Sequence, residues 1–352
     1  MENIETTSKN KPKERIIYLD IVRIFACVLI VLMHSPRPDS GMSGYQASSI
    51  SLLTAPGIGL FFMVSGALLL PVRISSSAFW RRRISKIIFP VLCWTLFYVI
   101  DNYFYGGATV REILRSLLSF PFRACGRGFL WFMYTLTGLY LLAPILSPWL
   151  LRCSRRELEA VLLFWCVTMF YPLLKGFFDI DDSTGGILYY FSGYAGYFLL
   201  GHYLHKYTPR LRWWCLLLCF IVPVGCAVYC KTTHLQIDFY NLFWYLSIFI
   251  AVMCFAWFNM IQRFFSRITL LSRLSGALTT LSNCTFGMFL MHIFLMRRCI
   301  WSLPYFREPN GGVLQSLLIF VSTFFLSFLF TYLLSFLPFA TYIIGYKRTK
   351  KQ

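Results

Sequence analysis

Ten apolar runs dominate this sequence, near Ile16–Ser35, Ile50–Val72, Ile87–Tyr105, Phe129–Leu150, Leu158–Leu174, Leu188–His205, Trp213–Cys230, Tyr240–Ile261, Leu281–Met296 and Val313–Leu337. Each approaches the ~20 residues a helix needs to cross the hydrocarbon core of a bilayer. A backbone in lipid must satisfy its own N–H and C=O groups, which leaves helices or closed barrels as the only spanning structures. Runs of this length favour helices. Charged residues are only 13% of the 352, about half the ~25% share of a soluble domain,. A soluble enzyme, a disordered chain and a disulfide scaffold are excluded. The reading is an all-α polytopic membrane protein with about ten transmembrane helices. The ninth run is short, and its helix is open to an earlier start near Gly276.

The formal charge of +19 invites a nucleic-acid reading, which its distribution discourages. A basic footprint needs its charges on one surface; here they are scattered between apolar runs. With the N-terminus in the cytoplasm, 22 of the 33 Lys and Arg fall in inner segments, 10 fall in outer ones, and Arg23 lies within a span. This fits the positive-inside rule with both termini cytoplasmic. Residues 1–15 then form a basic cytoplasmic tail, 16–345 one membrane domain and 346–352 a second basic tail. The first run reads as a retained helix rather than a signal peptide, because Asp20 and Arg23 interrupt it and no small-residue cleavage site follows,. The twelve cysteines lie mostly in spans without paired spacing and read as buried thiols,. Asn283-Cys284-Thr285 matches a glycosylation sequon but sits at membrane depth,.

Polar residues at depth are costly unless they are paired or face a cavity, so they mark function. The first helix carries Asp20, Arg23 and His34. Arg23 and His34 are eleven positions apart, close to three turns, on one face and about 16 Å apart along the axis. Asp20 lies one turn before Arg23 on the same face. The stripe reads either as a structural ion pair plus an interfacial histidine, or as a site. An arginine grips phosphate or carboxylate with a fork of donors, and an imidazole takes a proton from a hydroxyl near neutral pH.

Other polar positions are more open. His292 is either an interhelical structural histidine or part of that site. His202 and His205 read as interfacial and His234 as a loop residue; the histidine spacing gives no metal cluster. The segment Arg111 to Arg127 places four Arg against the charge bias. It either lies along the outer surface or offers Arg123 and Arg127 to an anionic ligand or acceptor. Asp179, Asp181 and Asp182 read as a solvated loop or a sugar contact. In the second run, Gly57 to Gly66 reads either as a packing face or as a helix loosened at Ser65–Gly66 to line a cavity. The loop residues Arg81-Arg82-Arg83-Lys86 read either as inside-positive charge or as a contact for CoA phosphates.

Four motifs in order resemble a known family. Arg23, ten residues and His34 are similar to the Arg-x10-His signature of the membrane-bound acyltransferase-3 family. Phe61-Phe62-Met63-Val64-Ser65-Gly66 resembles its Phe-Phe-x-x-Ser-Gly motif. Leu130-Trp131-Phe132 with the following Gly138 to Pro144 resembles its Leu-Trp-Tyr segment and Tyr-Leu-x-x-Pro. Phe289-Leu290-Met291-His292 resembles its late Tyr-Leu-x-His. Two positions depart from the pattern: Phe129 stands where members often carry His, and Tyr134-Thr135-Leu136 where some branches carry Glu-Glu. With no appended esterase-like domain, the chain resembles the stand-alone members, such as the O-acetyltransferase of enterobacterial common antigen.

The resemblance implies movement of an acyl group, usually acetyl, from cytoplasmic acyl-CoA to a carbohydrate or glycolipid acceptor across a bacterial inner membrane. Acetyl-CoA is then a co-substrate, with no bound cofactor, no metal and no nucleic-acid partner. His34 and Arg23 are the expected catalytic pair, His34 as base or transient acyl carrier and Arg23 on the donor. Asp20, Ser65, Trp131 and His292 are expected to support donor binding. The rival reading is a transporter or flippase for a glycan or lipid-linked sugar; a third is a non-catalytic partner in envelope assembly.

Overall fold

The computed structural model describes residues 15–37, 41–120, 122, 130–180, 186–233, 239–266, 268, 272–307 and 311–348. Arg123, Arg127, Phe129, Asp181, Asp182 and His234 lie outside them, as do nearly all of the two tails. Among the described residues there are helices and no strand. In chain order they are α1 (Ile17–His34), α2 (Gly44–Thr54), α3 (Pro56–Leu69), α4 (Ser76–Arg83), α5 (Phe89–Gly106), α6 (Val110–Leu118), α7 (Trp131–Arg152), α8 (Arg155–Thr168) and α9 (Tyr171–Phe178). There follow α10 (Ala195–Tyr207), α11 (Trp213–Thr232), α12 (Phe239–Leu242), α13 (Ile248–Phe265), α14 (Ser272–Leu295), α15 (Pro304–Arg307), α16 (Gly312–Leu334) and α17 (Ala340–Ile344). Single π turns join α4 to α5 at Ile84–Ile88 and extend α14 at Met296–Ile300.

Among these residues, nine helical stretches are long and apolar enough to cross a membrane. The sixth expected span, Leu188–His205, is not among them and is shorter than its apolar run. A 3-10 turn at Tyr189–Phe191 and Gly193 at φ 87° interrupt it, and α10 keeps only 13 residues. Its hydropathy comes from burial within the protein: Gly196 through Leu204 are all buried. The ninth run starts early, at Ser272.

Local chemistry sets the ends. Ser43 with Gln46 and Ser154 with Glu157 form capping boxes for α2 and α8, each satisfying two amide donors at a helix start,. Pro56 opens α3 at a position where its missing N–H costs nothing,. Pro36, two residues beyond α1, cannot continue that helix,.

Two glycines fix the centre. A Cβ on Gly66 of α3 would lie 1.8 Å from the Phe198 backbone oxygen of α10, and one on Gly201 of α10 would lie 1.9 Å from the Met63 backbone oxygen. Each helix lays its backbone into the other's glycine, the small-residue contact that lets membrane helices touch. α3 runs unbroken past Ser65–Gly66, with Leu70 N–H donating to Gly66 O at 3.0 Å, so this segment packs rather than loosens.

α1 is surrounded by α2, α3, α13, α14 and α16. The α2–α3 stretch is 83% buried inside the protein, against 17% of α11. α11 turns Leu217, Ile221 and Val228 outward, as a lipid-facing helix does,. α6 is a surface helix with no buried residue, capped by Thr109 and Glu112. The first part of the Arg111–Arg127 segment therefore lies along the surface.

Candidate active site

The stripe on α1 opens at its N-terminal end into a cavity of about 450 Å³. Arg15, Asp20 and Arg23 of α1 and its approach, Arg83 of α4, Tyr140 of α7, His205 of α10 and Asn283 of α14 line it, with Ala67–Leu69 of α3 as an apolar wall. The volume falls in the range of small-molecule sites, ~300–1,000 Å³.

Asp20 is expected from its spacing to orient Arg23. Its hydrogen bonds go elsewhere: to Arg15, at 2.6 and 2.8 Å in a bidentate fork, and to Ser282 Oγ, which donates at 2.6 Å. Arg15 also donates to Asn283 Oδ1 at 2.9 Å. Asp20 therefore ties the start of α1 to α14 and acts on Arg23 only through its field. Arg23 makes no hydrogen bond or ion pair with the described residues, and its guanidinium faces the cavity together with Arg83 and the Tyr140 phenol. Arg83 stacks over Phe79 and Tyr140, with its guanidinium 5.6 and 5.9 Å from the ring centres. Tyr140 OH reaches Ser65 Oγ at 3.5 Å, so Ser65 stands behind the cavity wall.

Sequence reasoning placed His202 and His205 at the interface. His202 is buried, its Nδ1 3.1 Å from Leu70 O, and His205 lines the cavity with Nδ1 2.5 Å from Tyr18 OH. Gln262 of α13 donates to Tyr18 OH at 3.2 Å, which fixes that side of the wall. Arg15, His205 and Asn283 are not among the site residues the sequence points to. Arg15 looked like ordinary inside-positive charge, and Asn283 was hidden in a discarded sequon.

At the far end of α1, His34 meets His292 of α14, ring centres 5.4 Å apart. His292 is 2% exposed and its Nδ1 lies 2.7 Å from Phe289 O, a contact that requires the proton on Nδ1,. Its Nε2 is then a lone-pair acceptor, and it has no hydrogen-bond partner among the described residues. His34 is exposed, not buried, although protein crowds the ring from several sides. It lines an opening rather than the core.

Aromatic rings connect the two ends. Phe61 and Phe62 of α3 touch Phe132 of α7, which touches Phe289, which touches His292, with centre distances of 4.7 to 5.7 Å. Trp131 packs on Tyr194 and Tyr245 at 5.3 and 5.4 Å, and Tyr245 OH reaches Met33 Sδ, next to His34, at 3.1 Å. Trp131 is thus placed at the His34 end, away from the Arg23 cavity. The expected set divides: Asp20, Arg23 and Ser65 gather at one end, His34, His292 and Trp131 at the other.

Among the described residues no group of His, Cys, Asp and Glu is arranged to hold a metal ion, and every described cysteine is a free thiol. The arrangement offers cations for an anionic ligand at one end, nitrogen bases for a hydroxyl at the other, and an apolar wall between them. No curated protein and no solved structure matches the chain. The model of a membrane acyltransferase domain, Acyl_transf_3, matches residues 16–335, which include both ends of this stripe. The chain is an integral membrane protein with nine apolar helices among its described residues, and it belongs to the acyltransferase-3 family.

Proposed function

We propose that the chain takes an acyl group, acetyl first among candidates, from cytoplasmic acyl-CoA and gives it to a hydroxyl of an envelope or exported glycan or glycolipid. The membrane crossed is the bacterial cytoplasmic (inner) membrane, with both termini on the cytoplasmic side. The observation that carries this reading is the division of polar groups along α1: a cavity with Arg15, Arg23 and Arg83 at one end, the His34–His292 pair at the other.

Arginine forks suit the phosphates of CoA, and Arg23 and Arg83, with no hydrogen-bonding partner among the described residues, are available to hold them. The aromatic wall suits an uncharged thioester arm. At the far end His34 removes the acceptor's hydroxyl proton while its oxygen attacks the thioester carbonyl. A C–O bond forms, the C–S bond breaks, and the CoA thiolate recovers the proton from the imidazolium. In a two-step route His34 itself attacks first and carries the acyl group as an acyl-imidazole. His292, held by Phe289 O with its ring centre 5.4 Å from that of His34, steadies that ring or the incoming hydroxyl.

The test uses sealed proteoliposomes enclosing a candidate glycan, with labelled acetyl-CoA added only on the side of the cytoplasmic loops. Label on the enclosed glycan with wild type, and none with His34→Ala, is the expected result. Glycan crossing unmodified with acetyl-CoA intact supports a carrier and refutes the transferase reading.

A further inference from the structure

α2 and α11 leave a narrow groove of about 150 Å³ between them, away from the α1 stripe. Each helix contributes one face. Tyr45, Ser48 and Leu52 recur at three and four positions along α2, and Val224, Ala227 and Lys231 do the same along α11,. The two helices run antiparallel here: Tyr45 OH donates to Lys231 O at 3.2 Å, so the first turn of α2 meets the last turn of α11. This is the end of the bundle at which α1 finishes and α2 begins. Buried Ser48, Leu52 and Ala227 form the floor of the groove. Exposed Leu53 and Val228 form its rims, so it opens sideways into lipid.

The chemistry of the groove changes turn by turn. At its mouth the Lys231 ammonium lies 4.7 Å from the Phe239 ring centre, a cation–π contact that keeps it over the opening,. One turn inward stand Ser48 and Ser49, and two turns inward Leu52 and Leu53 face Val224. The two serines differ from Thr54 on the same helix and from Thr137 and Ser147 of α7. Those return their hydroxyls to the carbonyl four residues back, a usual settlement within an apolar helix,. Ser48 and Ser49 make no hydrogen bond with the described residues. A hydroxyl left so beside lipid is costly unless an acceptor on a ligand meets it. A cation, then two donors about 5.4 Å deeper, then hydrocarbon follow the order of groups down a glycerophospholipid: phosphate, ester carbonyls, acyl chain. A polyprenyl phosphate has no carbonyl for the serines, and a free sugar has no chain for the leucines.

We infer that the groove between α2 and α11 is a binding site for one glycerophospholipid, with its phosphate on Lys231, its ester carbonyls at Ser48 and Ser49, and one acyl chain along Leu52, Leu53 and Val224. The bound lipid joins α11, only 17% buried inside the protein, to the α2–α3 stretch that packs on α1. Acyl transfer plays no part in this site, and no bond is made or broken there.

Native mass spectrometry of the full-length protein, released from a non-ionic detergent, counts the bound lipid. Three probes of equal chain length are titrated: diester phosphatidylglycerol, its diether analogue, which lacks the ester carbonyls, and diacylglycerol, which lacks the phosphate. One phosphatidylglycerol binds tightly per chain. It binds about tenfold or more tightly than diacylglycerol, as a charge-assisted hydrogen bond requires, and about two- to tenfold more tightly than the diether, as neutral hydrogen bonds require. Lys231→Gln removes the first margin and keeps the second. Ser48→Ala combined with Ser49→Ala removes the second and keeps the first. Should either variant fail to fold, Val228→Trp, which fills the groove from its lipid-facing rim, abolishes the single tight copy. Equal binding of the three probes, no bound lipid, or a margin that survives its own substitution overturns the inference. Displacement of phosphatidylglycerol by polyprenyl phosphate at equal concentration assigns the groove to a lipid-linked carrier and also overturns it.

Discussion

The two ends of α1 treat their polar groups in opposite ways. Around Asp20 nearly every charge has an answer: Arg15 and Ser282 hold its carboxylate, Asn283 holds Arg15, and Tyr18 holds His205. Arg23 and Arg83 face the cavity without a hydrogen bond to the described residues. At the His34 end the close contacts are between rings, and the Nε2 of His292 has no hydrogen-bond partner among the described residues. On the proposed acyl-transfer reading, the first end seats a large charged molecule, where a network holds cations apart and in place. The second handles a proton, where a buried base without a partner among the described residues is completed by substrate. That reading separates binding from chemistry along one helix.

That separation can be broken most severely at His34. His34→Ala lowers transfer by about 100- to 10,000-fold, the usual loss on removing a positioned base, while acetyl-CoA still binds; equilibrium binding and initial rates on the same preparation check both halves. Arg23→Ala has the reverse signature. Donor affinity falls by about 10- to 100-fold, as expected for lost charge-assisted hydrogen bonds, and the acceptor KM is unchanged. If both variants lose the same quantity, the two ends are not separate. His292→Phe lowers kcat by about 10- to 100-fold through misplacement of the reacting groups, with donor KM untouched, and His292→Gln recovers part of it. Asp20→Asn frees Arg15, whose side chain is 42% exposed, so its effect is smaller: about a fivefold rise in donor KM at low salt that fades at high salt,.

The smallest effect is a control away from both ends. The Thr109 N–H and hydroxyl hold the Glu112 carboxyl below the usual carboxylate range. Its folded pKa is depressed, so its support of α6 is complete above about pH 4.3 and is lost as pH falls through the lower folded value. Amide exchange across Val110–Leu118 quickens there first, while transfer at neutral pH is the same in Thr109→Ala as in wild type.

The lipid-crossing helices were legible because the bilayer imposes a length and a composition on them. α10 was legible as apolar but not as short, since burial in protein and burial in lipid demand the same residues. The stripe of Asp20, Arg23 and His34 could be read because helical periodicity is local. Its partners could not. Ser282 binding Asp20, Asn283 binding Arg15 and His292 facing His34 all depend on α14 packing along α1, which no spacing within either helix reports.

Arg23 and His34 sit on one unbroken helix, and this has a mechanical consequence. A carrier alternates access by moving its site between the two faces of the membrane, or by opening gates around it in turn. α1 acts instead as a ruler: its hydrogen-bonded backbone fixes the gap between the cation and the base, and neighbours can rearrange without altering it. Under the proposed acyl transfer, the travelling part is the substrate's own arm, reaching along a stationary track. Adding one residue between the two marks would turn them about 100° apart and spoil the alignment, even though each side chain would still be present.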